Sequence, residues 1–393
     1  MSARACLAAA GLLLAAALVL PTASAWSQSG TGKWCSYPVT LKVWNAGGTT
    51  GHNYAQAIRT GYSVWSAANN KVELVAGHSG DYDVKAYDVY DSGVSWYGQA
   101  WKASSNGCAY RDSGNYVKIN RYYTDGWSYE RVLRTSAHEF GHFVGFGHAT
   151  GNTDALMYTT SDVWTTRPYI APVYDEMLGM AGMYGGSERS SYPASSVNGG
   201  AVSRDASGYP TNVRVTTTGA GKYAFAGTDW VYFPTSTEAV VMYGYITPST
   251  LYRGAMCICW TRDASSPTNR MYNVEIDEST TRFIMTWSKS DGTLGSQRLW
   301  DGSTYPIPSE GVQYFVTLVA FKHPNGGNPY AYAYVHRVST EVHIAHIGPT
   351  PVSGTKWGWT GSSSYSMGVG AWTDSTSNPA SSYNLGIQWA GYG

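Results

Sequence analysis

The chain has 393 residues, a formal net charge of zero and only 13% charged residues, with no basic stripe, so neither nucleic acid nor a membrane surface is an expected partner. Apolar residues make up 43%, and there are 45 glycines, 32 tyrosines and 16 tryptophans. That balance excludes a disordered chain and points to an aromatic-rich, β-rich protein with ample material for a core.

Residues 1–25 read as a secretory signal peptide. Arg4 precedes an apolar run from Leu7 to Leu20, and Ala23-Ser24-Ala25 is a small-residue cleavage site. Pro21 interrupts a run already short of the roughly 20 residues of a membrane span. A secreted, extracellular chain starting at Trp26 is expected, with no membrane contact after cleavage. The remaining length, about 370 residues, exceeds one typical domain. Residues 187–208 are rich in Ser, Gly, Pro and Asn without periodicity and read as a linker. They divide a first domain, 26–186, from a second, 209–393.

In the first domain Val39 to Trp44 alternates as a strand does, and Asn53 to Ser66 has helical spacing through Ala57, Ile58, Tyr62 and Trp65. Asp83 to Tyr90 and Tyr116 to Asn120 read as strands. Ser128 to Gly145 reads as a helix, with Asp125 or Ser128 as its N-cap, and Val173 to Tyr184 as a closing helix. After residue 208 the pattern is all-β. Ala255–Trp260, Phe283–Trp287, Phe315–Phe321 and Met367–Trp372 each end in an aromatic, and Asp-Gly turns stand at 291–292 and 301–302. This fits a β-sandwich or a small propeller.

Residues 138–148, His-Glu-Phe-Gly-His-Phe-Val-Gly-Phe-Gly-His, carry the chemistry. His138 and His142 are four apart and share one helix face. Gly145 permits the turn that ends the helix, so that His148 can return as a third nitrogen donor. Three imidazoles on one Zn²⁺ leave a coordination position open. Glu139 reaches the same cleft without binding the metal, as a general base would. Met157 follows nine positions after His148, within Asp154-Ala155-Leu156-Met157-Tyr158.

The extended histidine motif with its downstream methionine resembles the metzincin metalloproteases, and the short gap to Leu-Met-Tyr is most similar to the matrixins. The resemblance covers roughly residues 31–185 and includes Lys33-Trp34, Asp175-Glu176 and Met183-Tyr184-Gly185. It implies an α+β metzincin-like domain, a twisted mixed sheet with a zinc-binding helix, followed by the all-β domain. Met157 would form the floor under the three ligands. Gly98, Gln99 and Ala100 would be the edge strand that pairs with a peptide substrate. Asp175 and Glu176 read as solvated carboxylates at a helix start. Cys35 and Cys108 fall within this region and pair outside the cell, whereas a bond between Cys257 and Cys259, on one strand, would be strained.

The sequence departs from the family in several places. A cysteine-switch motif and the histidine-rich pattern of the second zinc are missing. Thr159 replaces a tyrosine that assists in some metzincins, and the pocket wall from Tyr158 to Tyr169 lacks the family's Pro-x-Tyr. Calcium near Asp81, Asp83, Asp88 or Asp91 is compatible with the composition but has no diagnostic spacing. The expected function is a secreted zinc endopeptidase acting on protein or peptide, with one catalytic Zn²⁺, Glu139 as base, and a C-terminal domain for surface or polysaccharide attachment. The alternative is a secreted binding protein whose β domain recognises carbohydrate or protein with little or no proteolysis.

Overall fold

The computed structural model describes residues 28–392, apart from 30–31, 50–51, 151–152, 160–167, 186–193, 216–218, 220–221, 228–230, 233–235, 249–253, 260–269, 278–281, 290–292, 300, 302–303, 325–329, 352–363 and 374–381. The expected signal peptide lies outside these residues. No helix among the described residues is long and apolar enough to cross a membrane.

The first half contains β1 (Lys33–Trp34), β2 (Val39–Asn45), α1 (Tyr54–Ala68), β3 (Val72–Gly77), β4 (Val84–Val89) and β5 (Gly98–Trp101). It continues through β6 (Ser104–Ser105), β7 (Cys108–Ala109), β8 (Tyr116–Asn120), α2 (Arg121–Thr124), α3 (Tyr129–Val144) and α4 (Tyr174–Tyr184). A five-stranded sheet has the order β3-β2-β4-β8-β5, with all pairs parallel except β5 against β8. Strands β1, β7 and β6 form a small second sheet, and the Cys35–Cys108 disulfide closes it.

Local chemistry places both long helices. Asn53 caps α1, its side-chain oxygen accepting from the Gln56 N–H at 3.0 Å. Asn69 ends it by donating to the Trp65 carbonyl and accepting from the Lys71 and Val72 N–H groups. Ser128 caps α3, and Glu130 in its first turn complements the helix dipole. The two helices cross where Gly61 leaves room for Ser136, because a Cβ on Gly61 would stand 2.3 Å from the Ser136 hydroxyl.

The second half is all strands. They are β9 (Ala194–Asn198), β10 (Gly200–Arg204), β11 (Pro210–Val215), β12 (Lys222–Gly227), β13 (Val231–Tyr232), β14 (Ala239–Pro248), β15 (Gly254–Cys259) and β16 (Arg270–Asp277). Next come β17 (Arg282–Ser288), β18 (Leu294–Arg298), β19 (Tyr314–Phe321), β20 (Tyr330–Arg337), β21 (Val342–Pro351), β22 (Ser364–Thr373) and β23 (Ser382–Tyr392). One antiparallel sheet runs β10-β11-β23-β14-β19-β20-β21. The other runs β18-β17-β16-β15-β22-β12-β9, with β13 beside β22.

Val240, Met242, Val316, Leu318, Ala331 and Ala333 share a core with Val274, Phe283, Met285 and Val369 of the other sheet. The alternate residues Val241, Tyr243, Phe315, Val319, Tyr332 and Tyr334 join the core of α1 and α3 instead. The seven-stranded sheet is therefore covered on both faces, which is why Tyr314 to Phe321 is buried throughout and lacks a polar side. The layers run five-stranded sheet, helices, seven-stranded sheet, eight-stranded sheet.

Three expectations are corrected here. The chain as a whole is not an α+β domain with a β appendage, because strands dominate it and its second half supplies one wall of the helices' core. The propeller alternative gives way to two stacked sheets. Residues 187–208 hold β9 and β10, which enter one sheet each, where a linker without structure was expected.

Candidate metal centre

Helix α3 carries His138 and His142 on one face, and the chain turns at Gly145 (φ 131°) to return His148. Only glycine takes this φ without strain, and a Cβ there would also meet the Tyr184 hydroxyl at 2.9 Å. Every carbonyl at this helix end has a donor. The Gly141 carbonyl accepts from the Gly145 and Phe146 N–H groups, and the His142 carbonyl from Gly145 and Lys102 Nζ. The Phe143 carbonyl accepts from Trp34 Nε1 at 2.8 Å, the Val144 carbonyl from the Tyr184 hydroxyl, and the Gly145 carbonyl from Ser29 N–H. Unsatisfied carbonyls at a buried helix end are costly, so these donors hold the turn in place.

The ligand nitrogens of His138, His142 and His148 all lie within 4.8 Å of one another, the one such cluster among the described residues. The ring centroids are 4.9, 5.3 and 4.8 Å apart. His138 Nδ1 faces the Leu156 carbonyl at 3.0 Å and His142 Nδ1 the Phe146 carbonyl at 2.8 Å. A carbonyl only accepts, so Nδ1 carries the proton in both and Nε2 keeps its lone pair for a metal. Burial pushes the His138 imidazole well below its ordinary value, His142 down to about 4, and lowers His148 as well. Three neutral imidazoles, two of them with the tautomer fixed by a carbonyl, fit Zn²⁺. A bound zinc would supply Lewis acidity and a position for water or a ligand oxygen.

Glu139 lies beside this group and is buried. Burial pushes its carboxyl up to about 8, while the Ala100 N–H that it accepts pulls it down. Gly98 makes the space, since a Cβ there would sit 2.6 Å from Glu139 Oε1. The carboxyl is thus set beside the three histidines and would stand next to a metal held there. Gly98 thus lines the cleft and Ala100 reaches Glu139 through its backbone N–H, whereas Gln99 accepts from the Tyr116 hydroxyl through its side chain. Strand β5 is an outer strand of its sheet, bonded only to β8. Gly98, His138, Glu139 and His148 border a cleft of about 220 Å³ that also has Trp96, Tyr97, Tyr158 and Thr159 on its walls.

Met157 is fully buried, its sulfur against Gly141 of α3, where a Cβ would approach to 2.2 Å. The Met157 N–H donates to Glu176 Oε1 at 2.9 Å, and the Val173 N–H donates to Glu176 Oε2 at 3.0 Å. Asp175 and Glu176 are 3% and 0% exposed, which corrects their reading as solvated carboxylates. Burial, with Asp175 adjacent, holds the Glu176 carboxyl above its ordinary value. The four aspartates named for calcium each meet a protein group. Asp81 pairs with Lys42, Asp83 accepts from the Lys42 N–H, Asp88 from the Gly48 N–H and Asp91 from the Gly93 N–H.

Two residues at the site escaped the sequence reading. Lys102 is 2% exposed and closes α3, and no local pattern marks it. Arg134 lines the cleft one helical turn before His138, and the four-residue spacing to a ligand was the available signal.

No protein-family model and no curated protein match this chain. Among solved structures it is similar to one described as HCR/D-Sa-GBL1/C, with 9% identity, 53% of this chain and 45% of that one covered, and a TM-score of 0.30. It is also similar to the botulinum neurotoxin serotype C1 binding domain, with 10% identity, coverage of 50% and 43%, and a TM-score of 0.29. A third structure concerns cell entry of botulinum neurotoxin type C, which is described as dependent on two ganglioside molecules (12% identity, coverage of 50% and 43%, TM-score 0.29). The chain spans less than half the length of each. The expected membership of the metzincins, and with it the classification as a matrixin-type metalloendopeptidase, is corrected, since no family model and no curated protein matches the chain to show it. At these TM-scores the likeness assigns neither a fold nor an activity to this chain.

Proposed function

We propose that this protein holds one zinc ion on His138, His142 and His148 and works as a recognition protein for carbohydrate or protein, with the cleft beside the ion as a ligand site. One observation carries the reading: three imidazoles, two of them with pinned tautomers, converge beside a cleft walled by Trp96, Tyr97 and Tyr158. Aromatic walls offer flat apolar faces to a sugar ring or a side chain, and a few polar groups fix its orientation. The zinc position would take a ligand oxygen. The stacked sheets would hold this cleft rigid and add surface around it.

The test uses the full chain. Zinc content is measured by atomic emission for wild type and His142→Ala, and retention on insoluble polysaccharide and on immobilised casein is measured with and without chelator. The expected result is about one zinc per wild-type chain, little in His142→Ala, and ligand retention that falls with the metal. A chain that takes up no zinc overturns the reading. So does catalytic turnover of casein that disappears in Glu139→Ala, because the site would then be hydrolytic.

A further inference from the structure

The five-stranded sheet turns one face to α1 and α3, where Leu41, Val43, Val84, Ala86, Val117 and Ile119 are buried in the shared core. The alternate residues of the same strands stand on the opposite, outer face. The register sets them in rows across the strands. Trp44 of β2 lies beside Lys85 of β4, Lys85 beside Tyr116 of β8, and Tyr116 beside Trp101 of β5. Two residues along, Tyr87, Lys118 and Gln99 form a second row. Trp101 is 43% exposed and the others are half-buried. Trp101 and Tyr116 stack with 20° between their planes, and the Tyr116 hydroxyl donates to Gln99 Oε1 at 3.1 Å. Lys118 Nζ lies 4.0 Å from the Tyr116 ring centre, and Lys85 Nζ lies 4.6 Å from that of Trp44 and 4.8 Å from that of Tyr87.

Charge is the second observation. The carboxylates of this sheet already have cations: Asp81 has Lys42, Asp83 has Arg111 and Asp88 has Arg121. Lys85 and Lys118 make no ion pair among the described residues, and the rings that hold their ammonium groups do not neutralise them. The face therefore joins an aromatic platform to two uncompensated positive charges. Aromatic rings take the apolar faces of sugars, and ammonium groups take carboxylates. A peptide fits this face less well, because the main-chain groups of a sheet are bonded in its plane and offer nothing to a chain lying on top. A nucleic acid draws its affinity from many phosphate contacts, and two free cations supply few.

We infer that the outer face of this sheet binds an acidic polysaccharide, a chain of sugars bearing carboxylates, with Trp44 and Trp101 against sugar rings and Lys85 and Lys118 paired to carboxylates. The site is separate from the cleft beside the histidines and needs no metal. The experiment measures binding of polygalacturonate and of its fully methyl-esterified form to the full chain by calorimetry, at low salt and with chelator present. The expected result is about tenfold tighter binding of the charged polymer, the sum of two exposed ion pairs that are each weak alone. The preference should shrink as salt is raised. The double variant Lys85→Gln, Lys118→Gln should lose the preference, and Trp101→Ala should weaken binding of both polymers, with Tm unchanged in each. Equal affinity for the two polymers in wild type, or binding of neither, overturns the inference without reference to any variant. A preference that survives in the double variant overturns it too, as does wild-type affinity in Trp101→Ala or tighter binding of poly(dT) than of polygalacturonate. Retention that falls with the metal reads the cleft, and binding that persists in chelator reads this face, so the two proposals fail separately.

Discussion

The two halves of the molecule use buried polar groups in opposite ways. In the first half they gather at the end of α3. Lys102, Trp34, Tyr184 and Glu176 each bind backbone, and together they fix two histidines and the turn to a third. In the second half the sandwich core is apolar, and the polar side chains face the first half. Tyr334 accepts from Ile170 N–H at 3.1 Å and donates to the Pro168 carbonyl at 2.9 Å, while the Tyr243 hydroxyl donates to the Ala68 carbonyl at 2.9 Å. His323 meets Glu130 at 3.1 Å, and Glu238 accepts from Gln56. One region spends its polarity on a reactive geometry and the other on attachment. The difference teaches that the β half is a structural wall of the site-bearing half, not a module hung from it.

The contrast is broken or sharpened by a graded set of substitutions. The largest effect is expected from His142→Ala, which should reduce zinc content from about one per chain to near zero by atomic emission, since a three-ligand site that loses one ligand holds metal poorly. Gly141→Ala comes next. Its Cβ would approach the Met157 sulfur and stand 2.8 Å from Trp65, in a core without slack. Overpacking of this kind costs about 1–3 kcal/mol, and thermal unfolding should show a matching fall in Tm.

Tyr334→Phe tests the attachment half. It leaves the buried Ile170 N–H and Pro168 carbonyl without their hydroxyl partner, at about 1–3 kcal/mol in denaturant unfolding. An unchanged zinc content with lowered stability would sharpen the division, and a lost metal would break it.

Glu130→Gln adds a pH signature. Burial raises the Glu130 carboxyl, but the His323 hydrogen bond and its own backbone bond outweigh that and leave it below its ordinary value. A depressed carboxylate adds stability above the unfolded value of 4.5 and loses it as pH falls through the lower folded value. Wild type should therefore lose stability below about pH 4.5 more steeply than Glu130→Gln, with the two curves about 1–2 kcal/mol apart near neutrality. The smallest effect belongs to Lys42→Ala, which breaks an exposed pair with Asp81 and should leave Tm unchanged within error.

Much of the site was legible in the sequence because its signals are local. The four-residue spacing of His138 and His142, the glycine at 145 and the methionine at 157 are each a matter of one helix or one turn. What escaped was long-range. Lys102 is ordinary in its own segment and becomes a helix-closing donor only when β5 is set beside α3. Strand β19 was read from its terminal aromatic as one more sandwich strand, but its burial on both faces depends on α1 arriving from the other side. Asp175 and Glu176 suited a solvated helix start on charge alone. Their burial follows from the methionine turn folding back over them.

Glu176 has one more consequence. By gripping the N–H groups of Met157 and Val173 with its two oxygens, it clamps the two ends of the segment between them. The conformational entropy of closing that loop is met at its base, and the cost of lengthening a closed loop grows only with the logarithm of its length. Tyr158 and Thr159, which line the cleft, lie inside this clamp, and Leu156, the Nδ1 partner of His138, lies outside it. A single buried carboxylate thus divides the residues that orient the His138 ring from those that line the cleft, so that substitutions at Tyr158 or Thr159 should reshape the cleft and leave the imidazole where it is.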